Sequence, residues 1–247
     1  MHIISIDTET GGLFPSIHSL LAIGASCSWG SEFEVYITPE SQPGTSVDVE
    51  AAAVNGYSPF AWETLRAQPL LAATIDFLDW LAARKKEQPA AVIVCHNLAF
   101  DKAFLAEAAR KVGRADLPGR HDWRCSMVKL AELMDAGQIE KGSASLNRLM
   151  QLSHSPIERF EKHNALQDAR ATLYGYNWLI SKAAEPVKTM QHLYRSCITE
   201  RKRLEAFIMA VHEAIATSHD PARTAANAAI MAELETLAVR FDREGSR

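Results

Sequence analysis

The chain has 247 residues, 47% of them hydrophobic, with 26 Lys/Arg against 30 Asp/Glu and a formal net charge of −4. That suits one α/β domain with an extension and a real core, and it excludes a protein that coats nucleic acid by charge alone. No apolar run reaches membrane-spanning length, and four scattered cysteines (Cys27, Cys95, Cys125, Cys197) without C-x-x-C pairing read as reduced thiols of a cytoplasmic protein.

The N-terminus opens directly into Ile3-Ile4-Ser5-Ile6, an apolar, β-branched run that predicts a buried strand. Ser19–Trp29 predicts a second strand, and the alternating stretch Glu32–Thr38 a half-exposed third, joined by a hairpin through Gly30-Ser31. Pro39–Asp48 reads as a loop, and Val49–Val54 as a short helix ending near Asn55-Gly56. Ser58-Pro59 resembles an N-cap followed by Pro at the first helical position. A helix from about Pro69 to Lys86 carries Leu71, Ile75, Leu78 and Leu81 at helical spacing. Ala91–Cys95 is expected to be a buried strand, followed by a helix from Phe100 to Val112. Trp123–Cys125 reads as a further strand, with helices near Met127–Asp135, Ser145–Leu152 and Ala165–Ala184. Strands early and helices interleaved later predict an α/β domain with a mixed sheet. Glu185-Pro186 looks like a boundary, after which two amphipathic helices are expected. Two such helices make a poor core alone, so they should pack back on the main domain or pair with another copy or partner. Residues 186–247 hold nine Lys/Arg and eight Asp/Glu, so the excess acid belongs to the first 185 residues.

That acid includes a pattern with chemical content. Asp7 and Glu9 end the first strand, and side chains at i and i+2 of a strand share a face. Two close carboxylates repel unless a proton or a cation neutralises them, and a hard divalent cation prefers oxygen ligands. Gly11 and Gly12 follow, which suggests a sharp turn and room for a ligand. Asp101 falls in the first turn of the helix after Ala91–Cys95, and His163 and Asp168 at the start of the long helix. Each alone reads more readily as a surface group or a helix-start acid. Together they place four acids at strand ends and helix starts, where ligand crevices form in α/β proteins.

The stretches Asp7-Thr8-Glu9-Thr10 and His96-Asn97-Leu98-Ala99-Phe100-Asp101, and the H-x-x-x-x-D spacing of His163 and Asp168, strongly resemble the three motifs of the DEDDh (DnaQ-like) 3′→5′ exonucleases. The resemblance covers about residues 1–182 and implies a ribonuclease-H-like fold, with a mixed five-stranded sheet flanked by helices. It divides the chain into an exonuclease domain, 1–185, and a helical C-terminal extension, 186–247. It further implies that Asp7, Glu9, Asp101 and Asp168 hold two divalent ions, Mg²⁺ or Mn²⁺, which clamp the attacking and leaving oxygens of an in-line displacement. His163 is then the general base. Thr8, Thr10, Leu13, Phe14, Asn97 and Phe100 are the candidate substrate contacts, with Phe14 and Phe100 able to stack on unpaired bases. The turn Gly11-Gly12 departs from the commoner Thr-Gly.

The expected activity is release of nucleoside monophosphates from single-stranded 3′ ends. DNA is favoured over RNA by analogy, because the basic RNA-gripping patches of RNA-trimming members find no match here. The alternatives are an exoribonuclease, a non-catalytic binding module of the same fold, and a two-metal phosphohydrolase acting on small molecules. No membrane partner is expected. Arg201-Lys202-Arg203 in the extension reads more readily as a solvated helix face than as a phosphate grip.

Overall fold

A computed structural model describes residues 1–114, 117, 122–158 and 162–184. The chain divides into two units, Met1–Glu185 and Pro186–Arg247, and the helices expected in the second lie outside the described residues, as does Cys197. Among the described residues no helix is long and apolar enough to cross a membrane.

Five strands form one mixed sheet: β1 (Ile3–Thr10), β2 (Leu20–Cys27), β3 (Glu32–Tyr36), β4 (Val92–Cys95) and β5 (Trp123–Cys125), in the order β3-β2-β1-β4-β5. β1 runs antiparallel to β2 and parallel to β4. This is the ribonuclease-H-like arrangement expected from the sequence. The helices are α1 (Val49–Asn55), α2 (Pro59–Thr64), α3 (Leu70–Glu87), α4 (Leu98–Lys111), α5 (Ser126–Asp135), α6 (Leu146–Ser153) and α7 (Ala165–Ala184). A 3-10 turn, Pro39–Ser41, interrupts the loop after β3. The boundaries differ by at most two residues: β2 and β3 end two residues before the expected Trp29 and Thr38, and α4 starts two residues before the expected Phe100, with Asn97 as its N-cap.

Each face of the sheet is covered, and the alternation of β1 assigns its residues to one or the other. Ile4 and Ile6 join a core with Phe77 and Leu81 of α3 and Phe104 and Leu105 of α4. Ile3 joins a second core with Leu130 of α5, Leu149 of α6 and Leu179 of α7. Each fully buried aliphatic or phenyl side chain contributes about 1.5–3 kcal/mol. Covering both faces explains why β1 and β2 read as near-continuous apolar runs rather than as clean alternation. The same alternation decides the site: Asp7 and Glu9 share the α7 face with Ile3, while Thr8 shares the α3–α4 face with Ile4 and Ile6.

Candidate active site

Two helices deliver acids to the end of β1, one from each face. On the α4 side, Asp101 stands in the first turn of the helix and is buried. Its Oδ1 accepts from the Thr8 backbone N–H at 3.1 Å and from the Thr8 hydroxyl at 2.8 Å. Burial pushes the Asp101 carboxyl up to about 7, against the opposing pull of those two hydrogen bonds. Asp101 is thus bonded to the strand residue next to Asp7, and the buried Cys95 thiol is pushed up first by burial and then by the Asp101 and Asp7 carboxylates.

On the α7 side, the helix start lies directly against β2. Gly24 faces Asp7 across the β1–β2 ladder, and a Cβ at Gly24 would overlap the backbone of Ala165 and Leu166. The missing side chain therefore lets α7 approach the sheet closely enough to bring Asp168 to the strand end. Oxygen or nitrogen atoms of Glu9, His163 and Asp168 all lie within 4.8 Å of one another. His163 Nδ1 is 3.6 Å from Asp168 Oδ2; the imidazole is 45% exposed, whereas Asp168 is 5% exposed. The tightest cluster among the described residues thus includes the histidine, with Asp7 and Asp101 outside it.

The segment carrying His163 is fastened by three elements. Its own N–H donates to the Val54 carbonyl at 3.1 Å, and Lys162 Nζ donates to the Ala53 carbonyl at 2.7 Å. Both are end-of-helix carbonyls of α1 that no later turn can satisfy. Asn164 caps α7, its Oδ1 accepting from the Gln167 N–H at 2.9 Å. Its Nδ2 reaches β3, donating to Glu34 Oε1 at 2.9 Å and to the Tyr36 hydroxyl at 2.8 Å. Arg170 binds both Glu32 oxygens, at 2.7 and 2.5 Å, and holds the Glu32 carboxyl below its ordinary range. Asn55 closes the loop of contacts: its Nδ2 donates to the Thr10 carbonyl at 3.0 Å, where the β1–β2 register shifts between Glu9 and Thr10. Irregular pairing of this kind re-aims side chains beside sites.

Several expected substrate contacts have other duties. Thr8 is buried and its hydroxyl is committed to Asp101, on the opposite face from Asp7 and Glu9. Thr10 is buried and its hydroxyl donates to the Gly12 carbonyl at 2.8 Å. Phe100 packs on Phe104, with centroids 5.0 Å apart, and belongs to the rim of the core. Asn97 is exposed and its carbonyl accepts from the N–H groups of Phe100 and Asp101. Leu13 and Phe14 remain open, at 71% and 59% exposure. The room expected beside Gly11 and Gly12 is filled by protein: a Gly11 Cβ would sit 2.6 Å from the Ser46 carbonyl oxygen, and one on Gly12 would overlap the His18 ring. Neither glycine adopts a positive φ. Sequence reasoning missed Gly24, Asn55 and Asn164. Asn164 alone left a trace, as a capping residue type just before a helix.

A family model described as "Exonuclease" (RNase_T) matches residues 4–176. The chain belongs to this exonuclease family. It is a DEDDh 3′→5′ exonuclease, a hydrolase of the ribonuclease-H-like fold. It is similar to ribonuclease T of Shewanella sp. (strain W3-18-1), 27% identical over an alignment of 194 residues that covers 72% of this chain and 81% of that protein. It is also similar to the 3′-5′ DNA exonuclease Cap18 of Escherichia coli, 29% identical over 111 residues, 41% of this chain and 54% of that protein. In fold it resembles E. coli exonuclease I in complex with a dT13 oligonucleotide, with a TM-score of 0.58 and 17% identity. That match covers 81% of this chain and 44% of exonuclease I, so the chain spans under half of that enzyme's length. The nuclease domain of 3′hExo bound to rAMP, described as a DEDDh family member, aligns with a TM-score of 0.58 at 13% identity, over 73% of this chain and 92% of that domain.

Proposed function

We propose that this exonuclease removes nucleoside monophosphates one at a time from single-stranded 3′ ends, with His163 as general base and divalent cations held by Asp7, Glu9, Asp101 and Asp168. The observation that carries the reading is the meeting of Glu9, His163 and Asp168 within 4.8 Å at the end of β1. The donor set fits a hard cation: carboxylates dominate it, and Asp101 is buried with its oxygen held by the Thr8 N–H and hydroxyl. Bound Mg²⁺ or Mn²⁺ would supply charge neutralisation and an acidified water.

The remaining work belongs to the chain's own groups. An imidazole suits proton uptake near neutral pH, and Asp168 Oδ2, 3.6 Å from His163 Nδ1, is close enough to stabilise the ring once it is charged. Thr8 holds Asp101 by two hydrogen bonds, so that the carboxylate needs no rearrangement when a cation arrives. Leu13 and Phe14, exposed four and five residues past Glu9, offer apolar surface to the terminal bases. Catalysis then lies within residues 1–185, and residues 186–247 form a separate extension.

DNA is the favoured substrate. The acidic balance of residues 1–185 disfavours a broad basic grip on structured RNA and suits short unpaired ends held by stacking. RNA is the second reading, favoured by the similarity to ribonuclease T over most of that protein. Matched 5′-labelled DNA and RNA single strands, incubated with the full chain and Mg²⁺ or Mn²⁺, decide between them. The DNA strand is expected to shorten faster from its 3′ end, Asp7→Ala to show no turnover, and His163→Ala to be slower by about 10²–10⁴-fold. A fully active Asp7→Ala variant would overturn the site assignment.

A further inference from the structure

The backbone at Gly12 is packed directly against one side chain, His18. Its ring is 7% exposed and lies where a side chain on Gly12 would go. The loop from Leu13 to Ile17 is folded around this ring. The Phe14 N–H donates to His18 Nδ1 at 3.0 Å, and the same ring nitrogen lies 3.1 Å from the Phe14 carbonyl. The His18 N–H donates back to that carbonyl at 2.9 Å, and the Ile17 N–H does so at 3.1 Å. On its far side, His18 Nε2 lies 3.0 Å from Asp48 Oδ2. One tautomer serves both ends: a proton on Nε2 is donated to Asp48, leaving Nδ1 to accept from Phe14. The Phe14 ring stacks over the imidazole, with centroids 6.0 Å apart and planes at 26°.

A buried, fully bonded imidazole is thus surrounded by a loop whose own apolar side chains stay largely exposed, Leu13 71%, Ile17 51% and, over the imidazole itself, Phe14 59%. Exposed apolar residues normally collapse onto the surface unless the backbone is held. Here the backbone is held from beneath, by His18 and by main-chain bonds that tie the loop base to residues 46–48. Ser19 N–H donates to the Ser46 carbonyl at 2.9 Å, and Asp48 N–H to the Gly11 carbonyl at 2.7 Å. Asp48 also precedes α1, yet its side chain makes no cap there and is given to His18 instead.

We propose that His18 is a positioning residue for substrate. It fixes the Leu13–Phe14 loop in a raised, pre-formed conformation, so that the terminal base of a single strand meets an ordered apolar surface and not a mobile one. The proposal rests on the exonuclease reading above and deepens it. Gly12 follows from it, because any side chain there would displace the ring. Pre-forming the loop lowers the ordering cost of binding, so its loss falls on affinity more than on the chemical step.

The test uses the full chain, a 5′-labelled single-stranded dT oligonucleotide and Mn²⁺, together with amide exchange of the Leu13–Ile17 segment without substrate. His18→Ala is expected to speed exchange at Phe14 about tenfold or more. It should also raise KM about tenfold while lowering kcat less than twofold. Phe14→Ala should raise KM similarly, and adding His18→Ala to it should raise KM little further, because both changes remove the same surface. His18→Asn, which keeps a short acceptor and donor, should recover part of the affinity. Unchanged exchange in His18→Ala overturns the proposal, as does faster exchange with an unchanged KM. If His18→Ala does not fold, Asp48→Ala removes the outer support and must itself raise KM for the proposal to stand. Failure of the native protein to shorten any single strand is a different result: it defeats the exonuclease reading and this inference with it.

Discussion

The α4 and α7 sides of the site solve the same problem by opposite means. On the α4 side, one acid is fixed by one strand residue: Asp101 is buried against Thr8, with both donors of that residue aimed at it. On the α7 side, Asp168 and His163 are held indirectly. Gly24 sets how close the helix comes, Asn164 ties its start to β3, and the α1 carbonyls catch the segment before it. The difference matches the tasks proposed for the groups. A ligand needs a fixed direction, whereas a base must reach solvent and substrate, and His163 is the only member of the tight cluster that is exposed. One side is therefore robust to change elsewhere in the fold, and the other depends on packing between elements.

The sharpest way to break this contrast is Gly24→Ala. A methyl group there overlaps the backbone of Ala165 and Leu166, so α7 must move. Overpacking of this kind costs about 1–3 kcal/mol of stability, and a displacement of Asp168 and His163 near 1 Å costs roughly 10²-fold in turnover. Urea unfolding and single-strand degradation measure the two effects. Full turnover in this variant would mean that the seat of α7 does not set the site.

Thr8→Val tests the other side. It removes the hydroxyl bond to Asp101 and keeps the backbone one. The expected result is a roughly tenfold higher Mn²⁺ concentration for half-maximal activity, with turnover largely recovered at saturating metal. A metal titration of activity reads this directly. A loss that no metal concentration repairs would place Thr8 in a role beyond orienting Asp101.

The smallest effect concerns pH. Burial pushes the Cys27 thiol from 9.0 up to about 12. Burial, and then the neighbouring Glu34, push the Tyr36 hydroxyl from 10.0 up to about 12. The unfolded chain ionises these groups first, so between their ordinary values and about 12 the folded protein holds more protons. Stability should therefore be level below about pH 9 and decline as pH rises towards 11. Thermal unfolding across that range should show a shallower decline in Cys27→Ala and Tyr36→Phe, and an identical slope in all three proteins would contradict the assignment.

Much of this protein was legible from its residues in order. The period-two and helical patterns gave all five strands and every helix among the described residues to within a few positions, because both cores are covered by regular amphipathic elements. The acids at 7, 9, 101 and 168 and the histidine at 163 stood out through motif spacing, and the fold and family follow that reading. What the chain order could not supply was which face each neighbour belongs to. Thr8, Thr10 and Phe100 looked like substrate contacts because they flank the acids, yet strand alternation and helix phase turn Thr8 to Asp101, Thr10 to Gly12 and Phe100 to Phe104. The supports Gly24, His18, Asn55 and Asn164 act on groups that they approach only after folding, across strand pairs and helix ends. Local sequence determines periodicity, capping and chemical type, since those depend on near neighbours along the chain. The distances between Glu9, His163 and Asp168, and the space that admits α7 and the His18 ring, were decided by packing between distant segments.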